Sequence, residues 1–353
     1  MGKVKQIYLE KYGQPFIREI ETPLNLKKNQ VRIQVHHCSL NFADYLQQLG
    51  KYQEQPQLPH GLGFEAGGII TEIYDKNQEI TSADGAKLKL GDKVIVRTQG
   101  AYSEELICYP QQLFKTLNNF SIAETISSNT VLGTAEMGLV DRAQSKPGDW
   151  VLITGASGGQ GAAAVMVAKS LGCKVISLAR GQEKCKFVKE LGSDHVIDLQ
   201  STDLKQRVTQ VMKITNNKGV KTVFECVGGE IFQECLKYIK WDAKILVIGF
   251  AGGQIPKLST NILLVKNSSL IGLYWGAHLK MDFNKFQKGQ ENINNLISQQ
   301  KLKSLPYEEY ALEDFQIVLD KFKNHQIQGK MILTTKNAAN HKNLLTKNQK
   351  PKL

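Results

Sequence analysis

The feature that most constrains this chain is a run of glycines set between a buried strand and a helix. The run reads Trp150-Val-Leu-Ile-Thr-Gly-Ala-Ser-Gly-Gly-Gln-Gly161, and a helical pattern follows over 162–171. Small residues at Ala156 and Gly158 let the backbone approach a pyrophosphate, and Gly161 lets helix and strand pack closely. Ser157, Gly159 and Gln160 complete the turn, and the helix start supplies free N–H groups and partial positive charge. A glycine string alone marks only a turn. Here a strand precedes it, a helix follows, and further strand units lie behind it, which is the context a dinucleotide site needs.

Those further units are short apolar runs at 151–154, 174–178, 195–197, 222–226, 244–248 and 270–273. Helix-like stripes at 159–171, 183–191, 202–214 and 230–239 lie between them. Strands separated largely by helices predict an α/β fold with a doubly wound parallel sheet of the Rossmann type. Upstream, short alternating strands broken by turns (31–35, 67–73 and 90–96) predict a small β-rich, barrel-like domain. A helical stretch at 284–299 and a strand at 329–334 are expected to return to that first domain. The expected division is 1–124 together with 275–335, then 125–274, then a basic tail at 336–353. Two domains suit a chain of 353 residues.

The second strand of the sheet bears on which dinucleotide binds. An acid about 20 residues past the glycine turn would hold the ribose 2′-hydroxyl of NAD. Ala179 stands eighteen residues after Gly161, and no carboxylate is there. Arg180 and Lys184 instead offer cations to a 2′-phosphate, so NADPH is the expected cofactor. The alternative is that both are surface charges on the following helix.

Bulk properties exclude other classes. The chain is 41% hydrophobic and 22% charged, as in ordinary globular proteins. No apolar run approaches the ~20 residues of a membrane-spanning helix, and no transmembrane segment is expected. The start of the chain leads directly into strand pattern, so no secretory signal is expected. Net charge is +12, but the five lysines of 336–353 stand with no acid, and without them +7 remains, interleaved with acids. That pattern is a solvated surface and argues against nucleic-acid binding. The six cysteines include no CxxC pair and read as free thiols in a reducing compartment.

Four stretches then carry a family resemblance: Gly155–Gly161, Glu190-Leu-Gly-Ser-Asp-His-Val-Ile197, Val227-Gly-Gly229, and Leu263-Leu-Val-Lys-Asn267 followed by Gly272-Leu-Tyr-Trp-Gly276. They resemble the quinone oxidoreductase branch of the medium-chain dehydrogenase/reductase family, over nearly the whole chain from Lys3 to about Thr335. In the first domain, Leu40–Asp44, Gly50-Lys51-Tyr52 and Gly63-Phe64-Glu65-Ala66-Gly67-Gly68 resemble the family's substrate-side segment. The resemblance implies a GroES-like catalytic domain, a Rossmann domain and an active cleft between them.

Zinc-dependent relatives place a cysteine where this chain has Asn41, and a histidine where it has Phe64. The four-cysteine structural lobe is also missing, so no metal is expected. Reduction would then be direct hydride transfer to a quinone or an α,β-unsaturated carbonyl. The resemblance gives Asn41 and Tyr52 as hydrogen-bond donors to cofactor or substrate oxygen, and Asp44 as the residue that orients them. It puts Thr134 near the nicotinamide, Lys266 and Asn267 on a cofactor-facing stretch, and Gly249 and Phe250 at the end of the fifth strand. It also implies a homodimer through 270–273.

Departures from the family pattern define an alternative. Gln160 replaces an apolar residue behind the nicotinamide, Glu136 replaces an aromatic or apolar one, and Leu46 stands where close relatives often carry a tyrosine. The alternative is a catalytically weakened nucleotide-binding or structural subunit of a larger assembly, with the basic tail as contact. The cytoplasm is the expected compartment, with the mitochondrial matrix as the alternative.

Overall fold

The computed structural model describes residues 2–75 and 79–338. The chain divides into two units. The first comprises the described parts of Met1–Ser127, Pro306–Gln326 and Lys330–Leu353, and the second comprises Ser128–Leu305 with Ile327–Gly329.

In the second unit six strands form one all-parallel sheet, in the order His195–Asp198, Lys174–Ala179, Trp150–Ile153, Val220–Glu225, Ile239–Val247, Ser269–Gly272. Numbered along the chain, that order is 3-2-1-4-5-6, the doubly wound arrangement. Leu152, Ile176, Leu178, Val223 and Ile245 are buried on one face together with Val211, Phe232 and Tyr238, and Val151, Ile153, Val175, Phe224 and Leu246 are buried on the other, so both faces of the central strands are covered. This is why those strands read as continuous apolar runs.

The helices Gly159–Ser170, Gln182–Glu190 and Leu204–Ile214 match the expected stripes within two residues. The stripe at 230–239 stops early. Its helix is Gly229–Cys235, and the next strand already starts at Ile239, opposite Val220. An irregularity in that pairing, with Asp242 at φ 57°, carries the extra residues.

Residues 275–305 belong to the second unit and not, as expected, to the first. The helix Phe283–Ser298 buries Phe286 and Ile293, sets the Phe286 ring 5.1 Å from that of Trp275, and sends the Asn292 amide to Glu136 at 2.7 Å. Its apolar face is therefore spent within this unit.

The first unit is β-rich, as its alternating pattern predicts. Its seven-stranded sheet centres on Val31–Leu40, which pairs antiparallel with Glu65–Ile73 on one side and Lys330–Thr334 on the other. Val31–Leu40 is twice the expected length because its second half, with His36, His37 and Ser39, is buried on both faces. Those polar side chains hide the strand from a hydrophobicity reading.

The basic tail is fastened at its start. Lys336 meets Glu104 at 2.8 Å, and the Asn337 amide donates to the carbonyls of Val35 and Glu104 at 3.1 and 2.8 Å. The rest of the expected tail, 339–353, lies outside the described residues.

Candidate nucleotide and acceptor sites

The glycine turn leaves the Trp150–Ile153 strand at the point where the sheet order reverses. Gly155 takes φ 58°, the Gly158 N–H closes on the Gly155 carbonyl at 3.0 Å, and the Ala162 N–H begins the helix on Gly158 at 2.8 Å. The first-turn N–H groups have no intrahelical acceptor, as at any helix start. A Cβ on Gly161 would stand 2.3 Å from the Gly155 oxygen and 2.7 Å from the Ala156 Cα, so only glycine lets the helix ride this close. A Cβ on Gly158 would meet only the Gly155 oxygen, at 3.5 Å, and otherwise open space. A space that a Cβ would fill, beside free N–H groups, fits a pyrophosphate.

Two neighbours stiffen the turn. The Ser157 carbonyl accepts from the Gly329 N–H at 2.8 Å. Gln160 sends its amide to the Val131 carbonyl at 3.0 Å, tying the turn to the helix Ile122–Glu136. Beside them, buried Glu225 accepts from the N–H groups of Val227 and Gly228 at 2.8 and 2.9 Å and from the Thr154 hydroxyl at 3.0 Å. Burial raises its pKa against those bonds.

At the next strand end Ala179 is buried and Arg180 exposed. Lys184 is half-buried, and burial together with the charge of Arg180 lowers its pKa, so the two cations lie close enough to repel. Asp198 stands opposite Ala179 on the following strand. Its carboxylate is already engaged by the N–H groups of Gly181 and Gln200 at 2.7 and 2.9 Å.

The remaining expected residues of this unit divide. Thr134 is buried and donates its hydroxyl to the Thr130 carbonyl at 2.8 Å, which leaves the oxygen's lone pairs. Gly249 and Phe250 follow the Ile239–Val247 strand, where the Ala251 and Gly252 N–H groups bind the Cys226 and Val227 carbonyls at 3.0 and 2.8 Å. That sets them at the carboxyl end of the sheet, as the glycine turn is. Lys266 and Asn267 do not join them. The Lys266 ammonium reaches the Ile239 carbonyl at 3.4 Å, at the amino end of that strand, and Asn267 caps its helix in the left-handed conformation at φ 47°. Glu136 has its pKa raised by burial and is held by Asn292, while a Cβ on Gly289 would stand 2.8 Å from its second oxygen. Trp275 from the late motif packs on Gly133, where a Cβ would lie 2.5 Å from the indole.

The first unit gathers its expected residues around Asn41, which starts the short helix Phe42–Gln48. Asp44, one turn in, accepts the Asn41 backbone N–H at 2.7 Å. The Asn41 side chain faces two charged groups: its oxygen accepts from Lys330 at 2.7 Å, and its nitrogen donates to Glu65 at 3.3 Å. Lys330 also donates to the Leu40 carbonyl at 2.6 Å. Burial dominates the proton affinities here. It pushes Asp44 up to about 7, Lys330 down to about 8 and Arg97 down to about 10.

Tyr52 lies with its ring 5.9 Å from that of Phe64. Phe64 in turn lines a cavity of about 320 Å³ with Gln47, Glu54, Gln55, Pro56 and Gln99, within the size range of small-molecule sites. The Gln47 and Gln99 amides bond each other reciprocally at 3.2 and 3.1 Å.

Comparison with known proteins matches both units. Residues 27–181 match the alcohol dehydrogenase GroES-like domain, and residues 159–291 match the family described as zinc-binding dehydrogenase. The quinone oxidoreductase-like protein 2 homolog of Nematostella vectensis is 35% identical, over 94% of this chain and 89% of that protein. The chain belongs to the quinone oxidoreductase-like proteins of the medium-chain dehydrogenase/reductase family. A quinone oxidoreductase of Pseudomonas syringae pv. Tomato shares the fold with a TM-score of 0.81 at 25% identity, covering 94% of this chain and 99% of that one. Escherichia coli quinone oxidoreductase complexed with NADPH matches over the same shares with a TM-score of 0.80 at 24% identity.

Membership places this quinone oxidoreductase-like protein among the oxidoreductases, with a GroES-like unit and a Rossmann unit. Among the described residues no group of three or more His, Cys, Asp or Glu is placed to hold a metal ion, and no helix is long and apolar enough to cross a membrane. Two functional candidates escaped the sequence reading. Glu225 ends a largely buried strand before Gly228-Gly229, and that lone acid was its signal. Lys330 opens a buried strand directly after Gly329, and nothing local separates it from an ordinary surface lysine.

Proposed function

We propose that this protein is a metal-free, NADPH-dependent reductase of quinones or α,β-unsaturated carbonyls. The observation that carries the reading is the glycine turn at the sheet's reversal, with an open space at Gly158 and the Arg180–Lys184 cation pair beyond it. When bound, the nicotinamide would supply a hydride to the electron-poor acceptor, which then takes up one proton. The chain's own residues bind and orient. Backbone N–H groups of the first turn, 159–161, would hold the pyrophosphate, and Arg180 and Lys184 the 2′-phosphate, whose charge relieves their mutual repulsion. Asn41 donates its amide toward acceptor oxygen, while Phe64 and Tyr52 offer ring faces to a planar acceptor.

The weakened-subunit reading rested on Gln160, Glu136 and the added basic tail. Both side chains have partners inside the second unit, Val131 and Asn292, so neither is a stray polar group seeking the cofactor. That favours the active enzyme. The test is oxidation of NADPH and NADH with a panel of quinones and enones, in the presence and absence of a strong chelator. NADPH should bind about 10-fold more tightly than NADH, a difference of about 1.4 kcal/mol. Arg180→Ala should erase most of that preference. Equal cofactor affinities in the wild type, or loss of activity on chelation, would reject the corresponding part of the reading.

The same proposal extends to a homodimer. Among the described residues the Ser269–Gly272 strand is the last of its sheet and pairs on one side only. Leu270 on it is 39% exposed, and Leu264 and Val265 nearby are 79% and 66% exposed. An unpaired apolar edge favours strand addition by a second copy. Leu270→Lys should shift the sedimentation profile from dimer toward monomer with little change in melting temperature. A wild-type monomer at micromolar concentration would remove this part.

A further inference from the structure

Lys330 is only 3% exposed, yet it carries an ammonium into the interior of a β-sheet unit. Burying such a charge costs several kcal/mol unless it is paired and hydrogen-bonded. Its strand pairs with Val31–Leu40 with Met331 opposite Leu40, so the register delivers Lys330 to the end of that strand, beside Asn41. There the ammonium donates to the Leu40 carbonyl at 2.6 Å and to the Asn41 side-chain oxygen at 2.7 Å. A carboxamide turned by 180° keeps its shape and exchanges donor for acceptor. An ammonium can only donate, so Lys330 selects the orientation in which the Asn41 oxygen faces it. Glu65 accepts from the amide nitrogen at 3.3 Å and selects the same orientation from the other side. That nitrogen carries two hydrogens, and Glu65 takes one.

We infer that Lys330 is the positioning residue of the acceptor site: it fixes the Asn41 amide with its N–H directed at the acceptor oxygen and lends positive charge to that donor. This rests on the acceptor-site reading given above. As hydride adds to the acceptor carbon, the electron pair of the reduced bond moves onto oxygen, and a proton from solvent completes the reduced product. A donor polarised by a buried cation stabilises that developing charge without reorganising. Glu65 from its strand, joined by Asp44 of the Phe42–Gln48 helix once that carboxyl ionises, supplies the compensating negative charge at Lys330.

The test compares Lys330→Met, which removes donor and charge, with Lys330→Gln, which keeps an N–H donor alone. Both are measured alone and with Asn41→Ala. Lys330→Met should lower kcat roughly 10- to 100-fold with NADPH affinity within about twofold, and Lys330→Gln should recover part of the loss. In the Asn41→Ala background neither substitution should lower kcat further, since the route runs through Asn41. Losses that add in the double variants, or wild-type kcat in folded Lys330→Met or Lys330→Gln, overturn the proposal. A second readout needs no turnover. The side-chain amide resonances of Asn41, assigned by their loss in Asn41→Ala, should shift and exchange faster with water in whichever Lys330 variant folds. If the wild type reduces no acceptor tried, the functional reading has failed, and this readout decides alone. Moved resonances then support Lys330 as the group that orients Asn41, and unmoved ones overturn it.

Discussion

Gly161→Ala should destabilise the second unit by about 3 kcal/mol or more, which for a body of this size lowers its melting temperature by roughly 6–12 °C, and should abolish cofactor binding with it. The reason is distance. The added Cβ would stand 2.3 Å from the Gly155 oxygen and 2.7 Å from the Ala156 Cα, and both neighbours are backbone. Neither can swing aside, so the helix must lift off the strand. Gly158→Ala separates folding from binding. Its Cβ would meet only the Gly155 oxygen, at 3.5 Å, and its φ of −78° suits alanine. Stability should change by about 1 kcal/mol or less, the ordinary cost of alanine at a helix N-cap. NADPH affinity should fall at least ~10-fold, because the methyl group occupies the space assigned to the pyrophosphate. Calorimetric titration and thermal melts on both variants measure this. A Gly158→Ala protein that binds NADPH like the wild type would place the phosphates elsewhere and undo the cofactor reading.

What could be read from the sequence, and what could not, follows from how local each signal is. The doubly wound sheet was legible because strands covered on both faces are apolar throughout, and because Gly155 to Gly161 has few other uses in such a context. Val31–Leu40 was half-visible, since His36, His37 and Ser39 sit in its buried portion. The helix at 283–298 was legible as a helix but not as part of the second unit. Periodicity shows that a face is apolar and says nothing of which body covers it. Glu136 could be read only as a departure from an aromatic or apolar position, because its partner Asn292 lies 156 residues away. Lys266 and Asn267 came from the family pattern, and only the strand register showed that Lys266 bonds at the far end of the sheet from the glycine turn. Asn41 and Asp44 were named from sequence. Their organiser, Lys330, arrives from 289 residues downstream of Asn41.

That organiser makes the first unit's stability depend on pH in a way Asp44→Asn should expose. Burial pushes Asp44 up to about 7, against the opposing pull of the Asn41 N–H, Tyr102 and the Lys330 charge. Between its ordinary value of 3.8 and about 7 the folded unit holds a proton that the unfolded chain has released. Stability from this group is therefore fully present below 3.8 and is lost as pH rises through about 7. Lys330 runs the other way. With its folded value lowered from 10.5 to about 8, its cost is complete below about 8 and is relieved only as pH climbs toward 10.5. The two together leave the network least favourable near pH 7 to 8.

Asparagine keeps an acceptor for the Asn41 N–H but carries no charge. The variant should therefore hold its stability from pH 4 to 8 where the wild type loses it. The relative gain is about 2–4 kcal/mol, at the low end of that range because Lys330 loses a compensating neighbour. All three tryptophans, Trp150, Trp241 and Trp275, lie in the second unit, so their fluorescence would report the wrong body. Hydrogen exchange of the Val31–Leu40 strand, corrected for the intrinsic pH dependence of exchange, reads the first unit directly. Opening free energies of wild type and Asp44→Asn that stay parallel across pH 4 to 8 would mean that Asp44 is ionised throughout. In that case burial does not control the charge beside Asn41.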